Sequence, residues 1–387
     1  MNIARMNIEL RGGNFFNKGA ELMLQAIIYR VKKEIPNASF VIEKSSYSPR
    51  SKHLEKGIYT KASFKSFILL KYFFILIPAF IRKRWHYTLE REIDIVFDCS
   101  GFAFSDMLGA KKASVRLGDH IVKWKKQGKK VIMLPQAFGP FSNAELIAVM
   151  KNIISYADLI FARDQVSFKH LTQLCGDNKK ILSAPDFTNL IEGTVPSYFD
   201  SAKYEVAIIV NSQMVNTNVI KDPEAYVKLL HKIIRMIMEL GHKPFFLIHE
   251  LKSDINVAEL INENLPTRLP IIIDEDPLII KGIISKSMAV VTSRFHGLVS
   301  SLSQGVPCLA TSWSHKYEML LQDYNYSEGL LDIYSDDEVL LKKVNTLLTE
   351  PSRTGIVEKL RNESLKQKQL SEQMWQQVFK KIKDDAL

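Results

Sequence analysis

The residues best placed to do chemistry stand in one run, Thr292-Ser293-Arg294-Phe295-His296-Gly297. An apolar stretch, Ala289 to Thr292, precedes it, and a helical stretch, Leu298 to Gln304, follows. Backbone N–H groups at a helix start favour anions. An arginine fork adds bidentate binding of carboxylate or phosphate. A histidine two residues on can donate to phosphate or move a proton. The plainer reading is a helix-start arginine paired with a neighbouring acid, because structural ion pairs use the same residue types.

A second pair, Arg163-Asp164, sits between the apolar run Asp158 to Ala162 and the helix Gln165 to Leu174. Asp164 reads as that helix's N-cap. Arg163 reads as a binding group leaving the end of a strand. Candidate bases are Asp98, Glu21 and Asp186. Each has a structural alternative: Asp98 as a loop-ordering acid, Glu21 as a first-turn acid favoured by the helix dipole, Asp186 as a turn residue after Pro185. Asn14, Asn17 and Gln136 offer polar contacts to a substrate. Lys316 either reaches an anion or is solvated. His249-Glu250 lacks the second histidine of a metalloprotease helix. No metal cluster or cofactor motif is read.

These residues fall at strand exits. Met6 to Leu10 is short and apolar, and a glycine-bearing loop, Arg11 to Gly19, follows. Ala20, Met23, Leu24, Ile27, Ile28 and Val31 then form one helical stripe, which Pro36 ends. Strands are predicted at Phe40–Ile42, Ile93–Phe97, Val131–Leu134, Leu159–Ala162 and Ile181–Ala184. They resume at Val206–Val210, Phe245–Ile248, Ile271–Ile273, Ala289–Thr292 and Cys308–Thr311. Helical stretches between them argue for parallel sheets covered by helices. Gly193, Pro196 and Ser197 mark a linker around Leu190 to Tyr204. The expected division is therefore 1–195 and 196–387, two doubly wound Rossmann-like domains facing a cleft, with a terminal helix over Thr354 to Lys383. Ligands of open parallel sheets bind at the carboxyl ends of strands.

The 387 residues carry a net charge of +10, which favours anionic partners. No nucleic-acid-binding fingerprint is present, which argues against that partner. Cys99, Cys175 and Cys308 form no CxxC pair, and so sparse a count fits a reducing compartment. The first residues hold no signal-peptide stretch, so the cytoplasm is expected. The segment Phe64 to Trp85 is apolar with basic anchors, but Lys71 and Pro78 interrupt it before the about 20 residues a span needs. It reads as a packed helix pair or as a patch resting on the inner face of a membrane.

The ordered set of motifs resembles the polysaccharide pyruvyl transferase family over roughly Asn7 to Tyr324. The set comprises Gly12-Gly13-Asn14 with Asn17-Lys18-Gly19-Ala20-Glu21, Asp98…Gly101…Asp106, and Pro135-Gln136…Gly139-Pro140. Ala162-Arg163-Asp164…Ser167, Pro185-Asp186 and Ser293-Arg294-Phe295-His296-Gly297…Gly305-Val306-Pro307…Lys316 complete it. The resemblance implies a fold like the GT-B glycosyltransferases, with phosphoenolpyruvate as donor substrate and no cofactor. It implies donor contacts at Arg163, Arg294 and His296, and a sugar or lipid-linked oligosaccharide acceptor on the first domain's loops. Family members often carry Gly-Asp-Glu where this chain has Gly19-Ala20-Glu21, and a glycine run where it has Ser100-Gly101-Phe102. Two other functions fit the same fold: a nucleotide-sugar glycosyltransferase, and a catalytically degenerate glycan-assembly binding protein.

Overall fold

The computed structural model describes residues 6–62, 74–312 and 314–384. The chain divides into two compact units. The first comprises Met1–Phe16, Met23–Asp186 and Gln373–Leu387; the second comprises Asn17–Leu22 and Phe187–Glu372.

The strands of the first unit are β1 (Asn7–Arg11), β2 (Ser39–Glu43), β3 (Tyr59–Lys61), β4 (Tyr87–Thr88), β5 (Ile95–Asp98), β6 (Lys130–Gln136), β7 (Leu159–Ala162) and β8 (Ile181–Ser183). They form one sheet in the order β4-β3-β2-β1-β5-β6-β7-β8, and every pair is parallel. The central strands are apolar along their length because both faces are covered. Val96, Val131, Met133 and Ile160 pack with Leu117, Ile121, Trp124, Leu146 and Met150 of the crossover helices. Phe97, of opposite parity to Val96, meets Trp375 of the last helix at a ring separation of 6.3 Å.

The second unit holds β9 (Val206–Ile209), β10 (Pro244–Leu247), β11 (Ile271–Ile272), β12 (Ala289–Thr292), β13 (Cys308–Thr311) and β14 (Leu330–Leu331). Its order is β11-β10-β9-β12-β13-β14, again all parallel. Alternation within β9 assigns the two faces. Val206 and Ile208 join the helix Pro223–Glu239 in one core, while Ala207 and Ile209 join the helices Pro277–Lys286 and Phe295–Ser303 in the other.

The expected strands all occur. Three short strands, β3, β4 and β14, were not expected, since two or three residues are too few to show a period of two. The stretch read as a linker lies inside the second unit: Thr194 N–H donates to the Leu278 carbonyl at 2.8 Å. Lys281 Nζ, buried in the helix Pro277–Lys286, donates to the Thr188 carbonyl at 2.7 Å and draws the Phe187–Leu190 turn into the same unit. The division thus falls at Asp186/Phe187, ahead of the 195/196 boundary expected. The last helix runs Ser352–Asp384, and its residues from Gln373 onward group with the first unit. There Lys130 Nζ donates to the carbonyls of Lys381 and Ile382 at 2.8 and 2.6 Å, satisfying groups that a helix end leaves open.

Part of the Phe64–Trp85 segment, residues 64–73, lies outside the described residues. Beyond it, Leu76, Phe80 and Trp85 are exposed. No helix among the described residues is long and apolar enough to cross a membrane.

The loop after β1 depends on Gly12. Its φ is +94°, and a Cβ there would lie 2.5 Å from the Ser100 backbone. Gly57, at φ +65° with nothing within 4 Å, is a control for conformation alone. Gly12→Ala should destabilise by more than ~2 kcal/mol and Gly57→Ala by about 1 kcal/mol. Equal shifts in melting temperature would show that the approach to Ser100 costs nothing.

Candidate functional site

In the second unit the chain order reverses between β9 and β12, and the carboxyl ends of these strands lie side by side. Such a switch point is where an open parallel sheet offers a crevice. Thr292-Ser293-Arg294 leaves β12 here. Ser293 is pinned from four sides: Asn211 Nδ2 and Tyr317 Oη donate to its carbonyl, both at 2.9 Å, and its hydroxyl bonds Tyr226 Oη at 2.9 Å and Thr311 Oγ1 at 2.8 Å. The turn that aims Arg294 is therefore held rigidly.

Arg294 is 8% exposed. Its Nε donates to Asp254 Oδ2 at 2.9 Å, and its Nη2 bonds both Asp254 Oδ1 and Glu250 Oε2, the latter at 2.8 Å. Burial works against the guanidinium charge, but Asp254 and Glu250 more than offset it and hold the pKa above its ordinary value. These contacts use Nε and Nη2. Nη1 has no acceptor among the described residues. The paired-arginine reading is thus what the fold shows, and one edge of the fork is still open.

Arg294 is also the N-cap of the helix Phe295–Ser303, and no side chain caps that helix start. His296, in the first turn, is half-buried. Gly19 lies against its ring: a Cβ on Gly19 would sit 2.3 Å from His296 Nδ1. His249 is buried beside them, and its Nε2 has no partner among the described residues. Burial first, then the charges of Arg294 and His296, push its pKa down to about 3. Lys316 Nζ stands 5.5 Å from the Phe295 ring centroid.

Asn17 and Glu21, expected as substrate contact and base, both have local duties here. Asn17 Oδ1 accepts from the N–H groups of Gly19 and Ala20 at 3.0 and 3.2 Å, capping the helix Lys18–Glu34. Glu21 pairs with Lys18 Nζ at 2.8 Å, and both are buried. The Glu21 carboxylate is thereby engaged inside its own helix.

In the first unit, Asp98 ends β5 fully buried. Its Oδ1 accepts from Gln136 Nε2 at 2.9 Å and from Ser100 N–H at 3.2 Å, and its Oδ2 from Ser100 Oγ at 2.9 Å. Burial holds its pKa above the usual carboxylate range, against the opposing charge of Arg116. Gln136 Oε1 is buried without a partner among the described residues. Arg163 Nη1 donates to Asp186 Oδ2 at 3.1 Å, both buried. Asp164 caps its helix as expected, accepting from Ser167 N–H at 2.7 Å. Asn14 Oδ1 accepts from Phe16 N–H at 3.1 Å, which orders the β1 exit.

The structure thus gathers Arg294, His296, Asn17, Glu21 and Lys316 in the second unit, and Asp98, Gln136, Arg163 and Asn14 in the first. Sequence reasoning missed Asp254. Its only signal was an acid in the first turn of the helix Ser253–Asn262, a position acids favour anyway. Among the described residues no group of His, Cys, Asp and Glu could hold a metal ion.

Two parallel sheets, each wound with helices on both faces, define a GT-B-like α/β protein. The Anabaena protein HepE, solved with UDP-glucose, is similar at a TM-score of 0.60, 14% identity, 98% of this chain and 100% of that one. A putative UDP-N-acetylglucosamine 2-epimerase from Listeria monocytogenes matches at 0.58, 12% identity, 93% and 94%. The Neisseria meningitidis UDP-GlcNAc 2-epimerase bound to UDP-GlcNAc matches at 0.56, 12% identity, 97% and 100%. At these identities the likeness is one of fold. Residues 17–315 match the family model of polysaccharide pyruvyl transferase, and the chain belongs to that family.

The buried His249 makes a pH prediction. An unfolded histidine titrates near 6.5, so from about pH 6.5 down toward 3 the unfolded chain takes up a proton that the folded chain refuses. The stability is complete above 6.5 and falls with pH by up to about 1.4 kcal/mol per unit. His53, pushed to about 4 by burial and Arg50, acts in the same direction. His249→Gln should reduce the loss of unfolding free energy between pH 6.5 and 5 by about 1.6 kcal/mol. Chemical denaturation at the two pH values measures it, and parallel losses in variant and wild type would contradict it.

Proposed function

We propose that this protein transfers the pyruvyl group of phosphoenolpyruvate to two hydroxyls of a sugar, forming a ketal during cell-surface polysaccharide synthesis. Membership of the family supports the reading. The single observation that carries the donor assignment is the Arg294 guanidinium. It is fixed by Asp254 and Glu250 and leaves Nη1 open at an uncapped helix start beside His296.

Phosphoenolpyruvate bears a carboxylate and a phosphate. The open guanidinium edge and the positive end of the helix Phe295–Ser303 suit such oxygens. Because two carboxylates already offset the charge of Arg294, the group works as an oriented donor more than as a net cation. Lys316 supplies further positive charge. Arg163 is carried as a second donor contact on the family resemblance.

The chemistry needs a proton delivered to carbon and one removed from each of two hydroxyls, the surplus proton leaving on phosphate. A proton goes to the methylene carbon while a sugar hydroxyl oxygen bonds to the central carbon and gives up its own proton. The bond to the phosphate oxygen then breaks and inorganic phosphate leaves. The second hydroxyl bonds to the same carbon and loses its proton, closing the ketal. His296 is proposed to contact the donor and to deliver a proton to carbon or phosphate. Of the expected carboxylates, Asp98 is the strongest base, since burial raises its pKa while Glu21 and Asp186 are paired with cations.

Calorimetric titration tests the donor assignment. Wild type should bind phosphoenolpyruvate. Arg294→Lys, which keeps a cation for Asp254 but loses the open arm, should bind at least about ten-fold more weakly with its fold intact. His296→Ala should lose at least about ten-fold in turnover, the low end of what a positioned acid contributes. Near-wild-type turnover of His296→Ala would remove its role. Folded wild type that ignores phosphoenolpyruvate but binds sugar nucleotides would replace the reading with glycosyl transfer.

A further inference from the structure

The first unit contains a second candidate site. A cavity of about 580 Å³ opens at the carboxyl ends of β1 and β2. Its walls are Glu9 to Asn14, Ile42 to Ser48 except Ser46, and three residues of the next helical region, Lys112, Val115 and Arg116. The volume is within the range of small-ligand sites.

The charges inside its wall cancel. Glu9 is fully buried and accepts from Lys61 Nζ at 2.9 and 3.0 Å and from Arg11 Nη1 at 2.8 Å. Glu43 is 3.7 Å from the same Arg11 nitrogen. Arg11 also donates from Nε to the Arg116 carbonyl at 2.8 Å and from Nη2 to the Val115 carbonyl at 3.1 Å. Those carbonyls belong to a π-helical turn, Ser114–Gly118, an irregularity common at functional sites. A buried guanidinium thus fixes the backbone that carries the Arg116 side chain.

The rest of the lining is not fully balanced. Lys44, Lys112 and Arg116 make no ion pair within 4 Å among the described residues, and the one carboxyl on which the Arg116 charge acts is the buried Asp98, itself hydrogen-bonded to Gln136 and Ser100. Two unpaired lysines and an arginine shared with a buried acid, around one concave surface, raise the local concentration of anions. Beside them Tyr47 is 64% exposed, with its ring edge-on to Phe16 at 5.8 Å, so it offers an open aromatic face. The floor is rigid: Ser48 Oγ bonds His53 Nε2 at 2.8 Å, and His53 Nδ1 bonds Thr60 Oγ1 at 2.8 Å. A flat aromatic beside polar groups suits a sugar ring; a neutral sugar would have no use for the cations beside it.

We propose that this cavity binds the acceptor as an anionic glycan, a sugar bearing a phosphoryl or carboxylate group, with Arg116 and Lys112 reading the charge and Tyr47 stacking on the ring. The proposal rests on the reading that the acceptor is a sugar. Arg116 is a specificity residue here, placed by Arg11 through its backbone, so Arg116→Ala keeps the contacts that hold the turn.

The test is calorimetry on the full chain without donor, using glucose 1-phosphate, glucuronic acid, methyl glucoside and inorganic phosphate. At least one charged sugar should bind about ten-fold or more tightly than methyl glucoside, and the tighter of the two identifies the anionic group. Arg116→Ala should erase that advantage, and Lys112→Ala, an exposed position, should reduce it. Tyr47→Ala should weaken the sugars and leave inorganic phosphate unchanged. The proposal falls if methyl glucoside binds as tightly as both charged sugars, or if neither charged sugar binds. It falls equally if Arg116→Ala changes nothing, or if inorganic phosphate alone matches glucose 1-phosphate. Phosphoenolpyruvate titrated separately keeps the two readings apart. Charged sugars bound without it would leave the cavity assigned and remove the donor; the reverse would remove only the cavity.

Discussion

A parallel strand cannot be followed by its neighbour without a crossover, so every strand in a parallel sheet ends on the same edge. Both units obey this constraint throughout. It collects the polar residues that follow the strands into a single row in each unit. Asp98 ends β5 and Gln136 ends β6, and they meet at 2.9 Å although 38 residues separate them. Asn211 after β9 and Ser293 after β12 meet in the same way at the second switch point. Fold and site are therefore one problem: burying the apolar strands sets the positions of the groups that end them.

The charged groups at these edges are mostly already satisfied. Arg294 is bound to Asp254, Arg163 to Asp186, Lys18 to Glu21 and Arg11 to Glu9. Bare charges could not be buried at these positions, since desolvation of each ion costs several kcal/mol. Pairing makes the burial tolerable and fixes direction. What remains for a ligand is the part of each group that the pair does not use, such as Nη1 of Arg294. Arg11 extends the same logic, spending two donors on the carbonyls of a π turn and thereby placing a different arginine at the cavity.

Much of this was legible in the chain. Apolar runs of four to seven residues separated by helical stripes identify the central strands, because each central strand is covered on both faces. Asp164 before the helix Gln165–Cys175 is recognisable as a cap, because capping is a local interaction. Arg294 and His296 stand out because strand, turn and helix start follow one another within a few residues. The partner of Arg294 was not legible. Asp254 lies 40 residues away on another helix, in a position that acids occupy for purely local reasons. The boundary between units was misplaced for a similar reason: Gly193 and Pro196 look like linker residues, and only the bond from Thr194 to Leu278 reveals that they are packed.

The sequence alone determined the class of fold, the positions of most of its strands, the family and the candidate anion-binding run, since these depend on periodicity and on residues close together in the chain. The tertiary structure decided which charges cancel and which stay open. It paired Arg294 with Asp254 and Glu250, gave Glu21 to Lys18 and Asn17 to its own helix, and left Lys44 and Lys112 without an ion pair at a cavity no local pattern announces. The physical reason is that charge compensation depends on distance in space, and burial sets its strength. Both are properties of the folded chain, and residues far apart in sequence contribute to them equally.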